Sequence, residues 1–244
     1  MIVQANIVEV FSSIQGEGKY VGYRQVFVRF SGCNLKCKYC DTLVSHAPYK
    51  YCMTEKAAGL RQFIQLKNPV PVDLLAEHIN HLLLTPHHSI SFTGGEPLYR
   101  ADFIHALAAH LDCKLFLETN GTLVEELAKV IDDIDIISMD IKLPSITGKE
   151  LWNEHRNFLL LAKQKELYIK LVVSAETTNE EFNKAIGLVK DIDSSIPFII
   201  QPVTPVNGCN ACSAEDVLHY QKCALEVLQD VRVIPQTHKM IGQM

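Results

Sequence analysis

Ser31-Gly-Cys33-Asn-Leu-Lys-Cys37-Lys-Tyr39-Cys40-Asp41 carries three cysteines at the spacing C-x3-C-x2-C, with an aromatic residue just before the last. Three thiolates this close can ligate one face of an iron–sulfur cluster, and a cubane [4Fe–4S] cluster needs four ligands. One iron is then left open for a small molecule. The competing reading is a zinc site completed by a ligand elsewhere in the chain. A second pair, Cys209 and Cys212, makes an all-cysteine zinc site conceivable. Zinc ribbons mostly use two C-x2-C pairs, however, and the first gap here is three residues.

Outward from the triplet, the chain alternates short β-rich runs with helical patterns. Strands are expected over Arg24–Phe30, 89–93, 114–119, 135–140, 167–173, 197–201 and 231–234. Helices are expected over 71–84, 102–111, 123–131, 148–163, 179–191 and 214–228; Phe182, Ile186 and Val189 recur at helical spacing. Alternation of this kind implies parallel strands with right-handed crossovers. The number of repeats suits a partial, open barrel of the TIM type, with a flat doubly wound sheet as the alternative. The polar motifs fall at the carboxyl ends of these strands. Thr93-Gly-Gly-Glu-Pro97 follows the second, Glu118-Thr-Asn-Gly121 ends the third, Ser138-Met-Asp-Ile-Lys142 the fourth and Gln201-Pro202 the sixth. Barrels of parallel strands collect their chemistry at that end, where several strands aim side chains into one pocket.

Composition narrows the function classes. The chain has 244 residues, 48% of them hydrophobic, which fits one α/β domain over 1–244. A net charge of -5 argues against a general nucleic-acid binder, which usually carries a basic face. Apolar runs such as Phe158–Ala162 are too short to span a bilayer. The eight cysteines do not form a secreted framework and no leader pattern is present, so a reducing cytoplasmic setting is expected.

The triplet, the Gly-Gly-Glu turn one strand later and the Glu-Thr-Asn-Gly turn resemble, in that order, the motifs of the radical S-adenosylmethionine (SAM) superfamily. Phe11-Ser-Ser-Ile-Gln-Gly-Glu-Gly18, Val28-Arg-Phe-Ser-Gly32, Cys40-Asp-Thr42 and the tail Val233-Ile-Pro-Gln-Thr-His-Lys239 resemble the 7-carboxy-7-deazaguanine synthase family within it. The resemblance runs from about residue 7 to the end. It implies conversion of 6-carboxy-5,6,7,8-tetrahydropterin to 7-carboxy-7-deazaguanine and ammonia by radical ring contraction. In that family the radical derived from SAM takes a hydrogen from C6 of the pterin, SAM is regenerated, and Mg²⁺ assists. It further implies a flavodoxin- or ferredoxin-type electron donor and a homodimer.

By the same resemblance Cys33, Cys37 and Cys40 hold the cluster. Tyr39, Asp41, Gly95, Ser138, Lys142 and the segment Gln201, Pro202, Val203, Thr204 contact SAM. Ile14, Gln15 and Gly16 form a substrate edge joined by Arg29 and Thr93, and Thr42 places its hydroxyl on Mg²⁺. No side chain is assigned as a catalytic acid or base. Arg29 is a candidate carboxylate clamp on its own merits, because its planar fork matches a carboxylate in two hydrogen bonds. The fourth strand reads SMDIKLPS where many members carry Ser-Pro-Lys. The linker 49–68, with Cys52, has no expected role. Cys209 and Cys212 are read as loop and helix cysteines, with Cys223 and His219 the only nearby partners for a metal. His87, His88, His105 and His110 are read as surface or helix residues. Two other functions are weighed. A glycyl-radical activase shares cluster and fold but has no use for IQGEG and Arg29. A non-catalytic zinc protein would lack iron and sulfide.

Overall fold

The computed structural model describes residues 3–42 and 47–243. Its strands are β1 (Gln4–Ala5), β2 (Ile7–Ile14), β3 (Arg24–Phe30), β4 (Tyr51–Glu55), β5 (Phe63–Lys67), β6 (Val70–Pro71), β7 (Ser89–Gly94), β8 (Leu115–Thr119), β9 (Ile136–Asp140), β10 (Glu166–Val173), β11 (Phe198–Pro202) and β12 (Val231–Val233). Its helices are α1 (Val72–Leu82), α2 (Ala101–Ala108), α3 (Val124–Val130), α4 (Pro144–Thr147), α5 (Trp152–Ala162), α6 (Asn179–Asp193), α7 (Ala214–Leu225) and α8 (Thr237–Met240). Ten strands form one sheet in the order β12-β11-β10-β9-β8-β7-β3-β2-β4-β5. From β3 through β7 to β12 each neighbouring pair is parallel. Among the described residues the two ends of the sheet, β12 and β5, do not pair, so the barrel is open.

Alternation along the parallel strands sorts their side chains onto two faces. Ile90, Phe92, Leu117, Ile137, Met139, Ile169, Leu171 and Ile200 face outward into the main core with the helices. On α6 the buried residues Phe182, Ala185, Ile186 and Val189 recur at helical spacing, and a Thr178–Glu181 capping box starts the helix. The inner face is graded. At its floor Phe116, Ile136, Tyr168 and Ile199 pack with Tyr20 into a separate apolar cluster. Two residues further along each strand, toward the carboxyl ends, come Glu118, Ser138, Lys170 and Gln201.

Three expectations are corrected. Arg24–Phe30 is not the first strand, because β2 precedes it and pairs with it antiparallel. Most of β2 is buried, so its sequence shows no clean alternation. The linker 49–68 is not plain connection: it holds the antiparallel hairpin β4–β5, which extends the sheet beyond β2. The helix expected over 148–163 begins only at Trp152, as α5; the unexpected short helix α4 precedes it, and Gly148 closes α4 at φ 69°, a left-handed conformation that favours glycine. Among the described residues no helix is long and apolar enough to cross a membrane.

Candidate active site

A cavity of about 420 Å³ opens at the carboxyl end of the parallel strands. Cys33, Cys37 and Cys40 line it, together with Tyr39, Asp41, Thr42, Gly95, Ser138, Lys142, Gln201, Val203 and Thr204. Ile14, Gln15, Gly16, Arg29 and Thr93 line it as well. Pro202 does not, because it lies between Gln201 and Val203 on the alternating strand and faces the other way.

The loop that carries the three cysteines has an internal hydrogen bond and is held by two other segments. Cys40 N–H donates to Cys37 O at 3.1 Å, and Lys38 N–H donates to Ile146 O at 3.2 Å. Asn207 Nδ2 donates to Cys40 O at 2.8 Å. Glycine at 95 is required: a Cβ there would meet Gly32 O at 2.0 Å. The next residue, Glu96, is fully buried. Its carboxylate accepts from Leu98 N, Thr119 Oγ1 and Asn120 N at 3.2, 2.9 and 2.8 Å, which ties the TGGEP turn to the ETNG turn. Burial pushes its pKa up to about 7 against the pull of those three donors. On α5, buried His155 links two more site segments. Its Nδ1–H donates to Gly121 O and its Nε2 accepts from Lys142 N–H, both at 3.0 Å.

The charged groups form a chain across the cavity. Lys142 Nζ donates to Asp140 Oδ2 at 2.8 Å and to Tyr39 OH at 3.4 Å. Burial works against its charge, but Asp140, Tyr39 and Cys37 outweigh it and hold its pKa well above the ordinary value. Lys170, beside Asp140 in register, donates to Glu17. Burial tends to raise the Glu17 pKa, yet Lys170 and a hydrogen bond from Gln236 bring it down to about 2. At the far wall Glu118 Oε1 accepts from Gln15 Nε2 at 2.8 Å and Ser91 Oγ at 3.1 Å, and Oε2 accepts from Thr93 Oγ1 at 2.9 Å. Arg29 shares the inner face with Phe27. Its Nε donates to Glu9 Oε1 at 2.7 Å, and the guanidinium lies over the Phe11 ring.

This donor set fits a cluster and SAM. Among the described residues no three His, Cys, Asp or Glu side chains converge on one point, as a single zinc ion would need. The three thiols line a shared cavity instead, which suits a cluster in which each cysteine takes its own iron. Burial raises the pKa of Cys33 and Cys37, so metal binding displaces their protons. Asp140 Oδ1 and Gln201 Oε1 are buried acceptors without a donor among the described residues, and both residues line the cavity. Such acceptors are costly unless paired; SAM offers an ammonium, ribose hydroxyls and an adenine amino group.

Glu17, Glu118, Asp140, Lys170, Gln236 and His238 also line the cavity, though none was singled out from the sequence. Glu17, Glu118 and Asp140 lie inside the IQGEG, ETNG and SMDIK motifs, Gln236 and His238 inside the tail VIPQTHK, and Lys170 is a charge flanked by apolar residues in β10. Outside the cavity, Cys209 is buried in a small apolar cluster against Cys37 and Tyr39. Cys212 packs partly buried against the main core. Cys223 lies 3.7 Å from His219 Nε2. His87 and His88 are half-buried rather than on the surface: His87 Nε2 is 2.8 Å from Ser12 Oγ, and His88 packs on Tyr20 and Tyr23.

Residues 27–158 match the family model of the radical SAM superfamily, a family that implies a [4Fe–4S] cluster and SAM. A 7-carboxy-7-deazaguanine synthase of Geobacter sulfurreducens is 42% identical over 98% of both chains. One of Archaeoglobus fulgidus is 34% identical over 98% of this chain and 99% of its own. Among solved structures, QueE from Escherichia coli superposes with a TM-score of 0.61 at 19% identity, over 96% of this chain and 95% of that one. A radical SAM methyltransferase from Sphaerobacter thermophilus gives 0.59 at 12% identity, over 88% and 70%. These last two likenesses speak for the fold. Sequence, motif order and cavity agree, and the chain belongs to the 7-carboxy-7-deazaguanine synthase family of the radical SAM superfamily.

Proposed function

We propose that this chain converts 6-carboxy-5,6,7,8-tetrahydropterin into 7-carboxy-7-deazaguanine and ammonia, using a [4Fe–4S] cluster, SAM and Mg²⁺. The observation that carries the reading is one cavity lined by the three thiols, the acceptor Glu118 and the cation Arg29, the last two joined through Thr93, which pairs with Arg29 in register and donates to Glu118. The conversion is redox-neutral, since loss of ammonia accounts for every atom, so SAM can act catalytically. Relatives of the same name at 42% and 34% identity leave the glycyl-radical activase reading unfavoured.

Cluster and SAM together supply an oxidant strong enough to take a hydrogen atom from an unactivated carbon. The protein binds, orients and keeps water out. Cys33, Cys37 and Cys40 each take one iron. Tyr39, Asp41, Gly95, Ser138, Lys142, Gln201, Val203 and Thr204 hold SAM, with Pro202 contributing only through its place in the chain. Ile14, Gln15, Gly16 and Thr93 form the substrate edge. Glu118 is an acceptor-only carboxylate, and the amino-pyrimidinone half of a pterin presents adjacent N–H donors that match it. Arg29 meets the pterin carboxylate with the part of its fork that Glu9 leaves uncommitted. Thr42 gives Mg²⁺ an oxygen ligand. A flavodoxin- or ferredoxin-type donor would supply the electron such a cluster needs, and the chain works as a single-domain protein, homodimeric, in the cytoplasm.

Equilibrium binding tests this reading apart from turnover. The SAM-loaded protein should bind the carboxylated tetrahydropterin at least about tenfold tighter than the same pterin without its carboxylate, as an oriented ionic hydrogen bond implies. Equal affinity for the two would contradict it.

A further inference from the structure

The segment Gln236–Lys239 follows the last strand and has no role in the reading above. It touches two loops that come from opposite sides of β3. The Gln236 side chain is buried and makes three hydrogen bonds. Its Nε2 donates to Glu17 Oε1 at 2.7 Å and to Asp41 Oδ2 at 3.0 Å, and its Oε1 accepts from Lys239 Nζ at 2.6 Å. Lys239 Nζ also donates to Asp41 Oδ2 at 3.1 Å. Thr237 donates to Gly16 O from its backbone N at 2.9 Å and from Oγ1 at 3.2 Å. The fit is close, since a Cβ on Gly16 would lie 2.2 Å from His238 Nδ1. Among the described residues no hydrogen bond joins the Gly16–Glu17 loop to Asp41 directly.

We propose that Gln236 is a positioning residue that fixes the substrate edge at Gly16–Glu17 against the SAM loop at Asp41. A primary amide suits this place because it donates twice and accepts at the same end of one side chain. A glutamate would turn a third carboxylate on Glu17 and Asp41. Hydrogen-atom transfer needs the reacting atoms about 3–3.5 Å apart, and a misplacement of about 1 Å can cost roughly 100-fold in rate. Loosening the strap should therefore leave SAM cleavage intact while separating it from product formation. The inference rests on the proposed reaction.

The test is Gln236→Met, which keeps the reach of the side chain and removes its hydrogen bonds. In the reconstituted enzyme the ratio of 5′-deoxyadenosine to 7-carboxy-7-deazaguanine should rise about tenfold or more, and KM for the pterin should rise with it. Iron content and SAM affinity should stay within about twofold of wild type. In the same protein without cluster or ligands, amide exchange at residues 14–17 and 237 should quicken by about tenfold. Lys239→Met, a change at a more exposed site, should move each quantity in the same direction by less. A purely structural strap would lower Tm and leave the ratio and KM as they were, and that result overturns the proposal. Loss of iron in Gln236→Met overturns it too, because the residue would then serve the cluster loop. If wild type makes no product, the proposed reaction fails, and the exchange comparison still decides whether Gln236 joins the two loops.

Discussion

Arg29 reaches the cavity with one end of its guanidinium already committed to Glu9, in a pair whose side chains are only 15% and 21% exposed. The pair pins the fork instead of consuming it, and a lysine cannot reproduce that geometry. Arg29→Lys should cost on the order of 2–5 kcal/mol in transition-state binding, much of it from a stranded substrate carboxylate. It should lower kcat/KM for the carboxylated pterin by about 30-fold or more with iron content and SAM binding unchanged. Turnover equal to wild type would remove Arg29 from the clamp. Thr42 sits two residues after the last cluster cysteine, with Oγ1 donating to Gly94 O at 3.3 Å. A hydroxyl is one weak ligand, so Thr42→Ala should raise the Mg²⁺ concentration for half-maximal turnover without abolishing it; an unchanged Mg²⁺ dependence would count against the ligand role. Glu17 carries a pH signature. Its carboxyl is held at about 2 against an ordinary 4.5. A depressed acid stabilises the fold above its ordinary value and loses that contribution as pH falls through the folded value. The loss amounts to roughly 3 kcal/mol between pH 4.5 and 2. Denaturation midpoints measured between pH 5 and 2 should fall steeply in wild type and less steeply in Glu17→Gln. Parallel profiles would show that Glu17 does not carry the linkage.

At the scale of elements, the site depends on how closely the turns after β3, β7 and β8 stack. Gly95 lies against the Gly32 backbone, which cannot yield as a flexible side chain could. Gly95→Ala should push the β7 turn off the cluster loop, and the anaerobically reconstituted protein should hold less than half the iron and sulfide of wild type. Full loading would mean that the loop has more room than this contact allows. These turns were readable in the sequence because each motif is local: CNLKCKYC, TGGEP and ETNG each sit within a few residues. The parallel strands were readable for a related reason, since each apolar run ends at such a motif. The hairpin β4–β5 escaped notice because its pattern is inverted, with Tyr51 and Met53 exposed and Thr54 and Glu55 buried. Glu55 is satisfied by the Ser12 and Arg61 backbone amides, at distances of 2.9 and 2.7 Å that no periodicity announces. The Glu17–Lys170 and Gln236–Asp41 pairs join residues 153 and 195 positions apart. Only the closed tertiary structure brings them together.

At the scale of the molecule, the open barrel divides its labour along the strand axis. Aromatic and branched side chains plug the floor, while the carboxyl ends bring lysines, carboxylates and thiols to one cavity. A reactive carbon-centred oxidant needs such a vessel, dry below and specific above. The end of β2 and the C-terminal segment both reach this cavity, so its lining draws on parts of the chain far apart in sequence. In the proposed reaction this vessel serves a ring contraction that spares SAM. The most direct measurement is anaerobic turnover of the reconstituted protein with 6-carboxy-5,6,7,8-tetrahydropterin, SAM, Mg²⁺ and a reductant, with 7-carboxy-7-deazaguanine, ammonia and 5′-deoxyadenosine quantified together. 7-Carboxy-7-deazaguanine and ammonia should form in equal amounts, many of each for every SAM lost. Accumulating 5′-deoxyadenosine with the pterin left unconverted would contradict the proposed reaction.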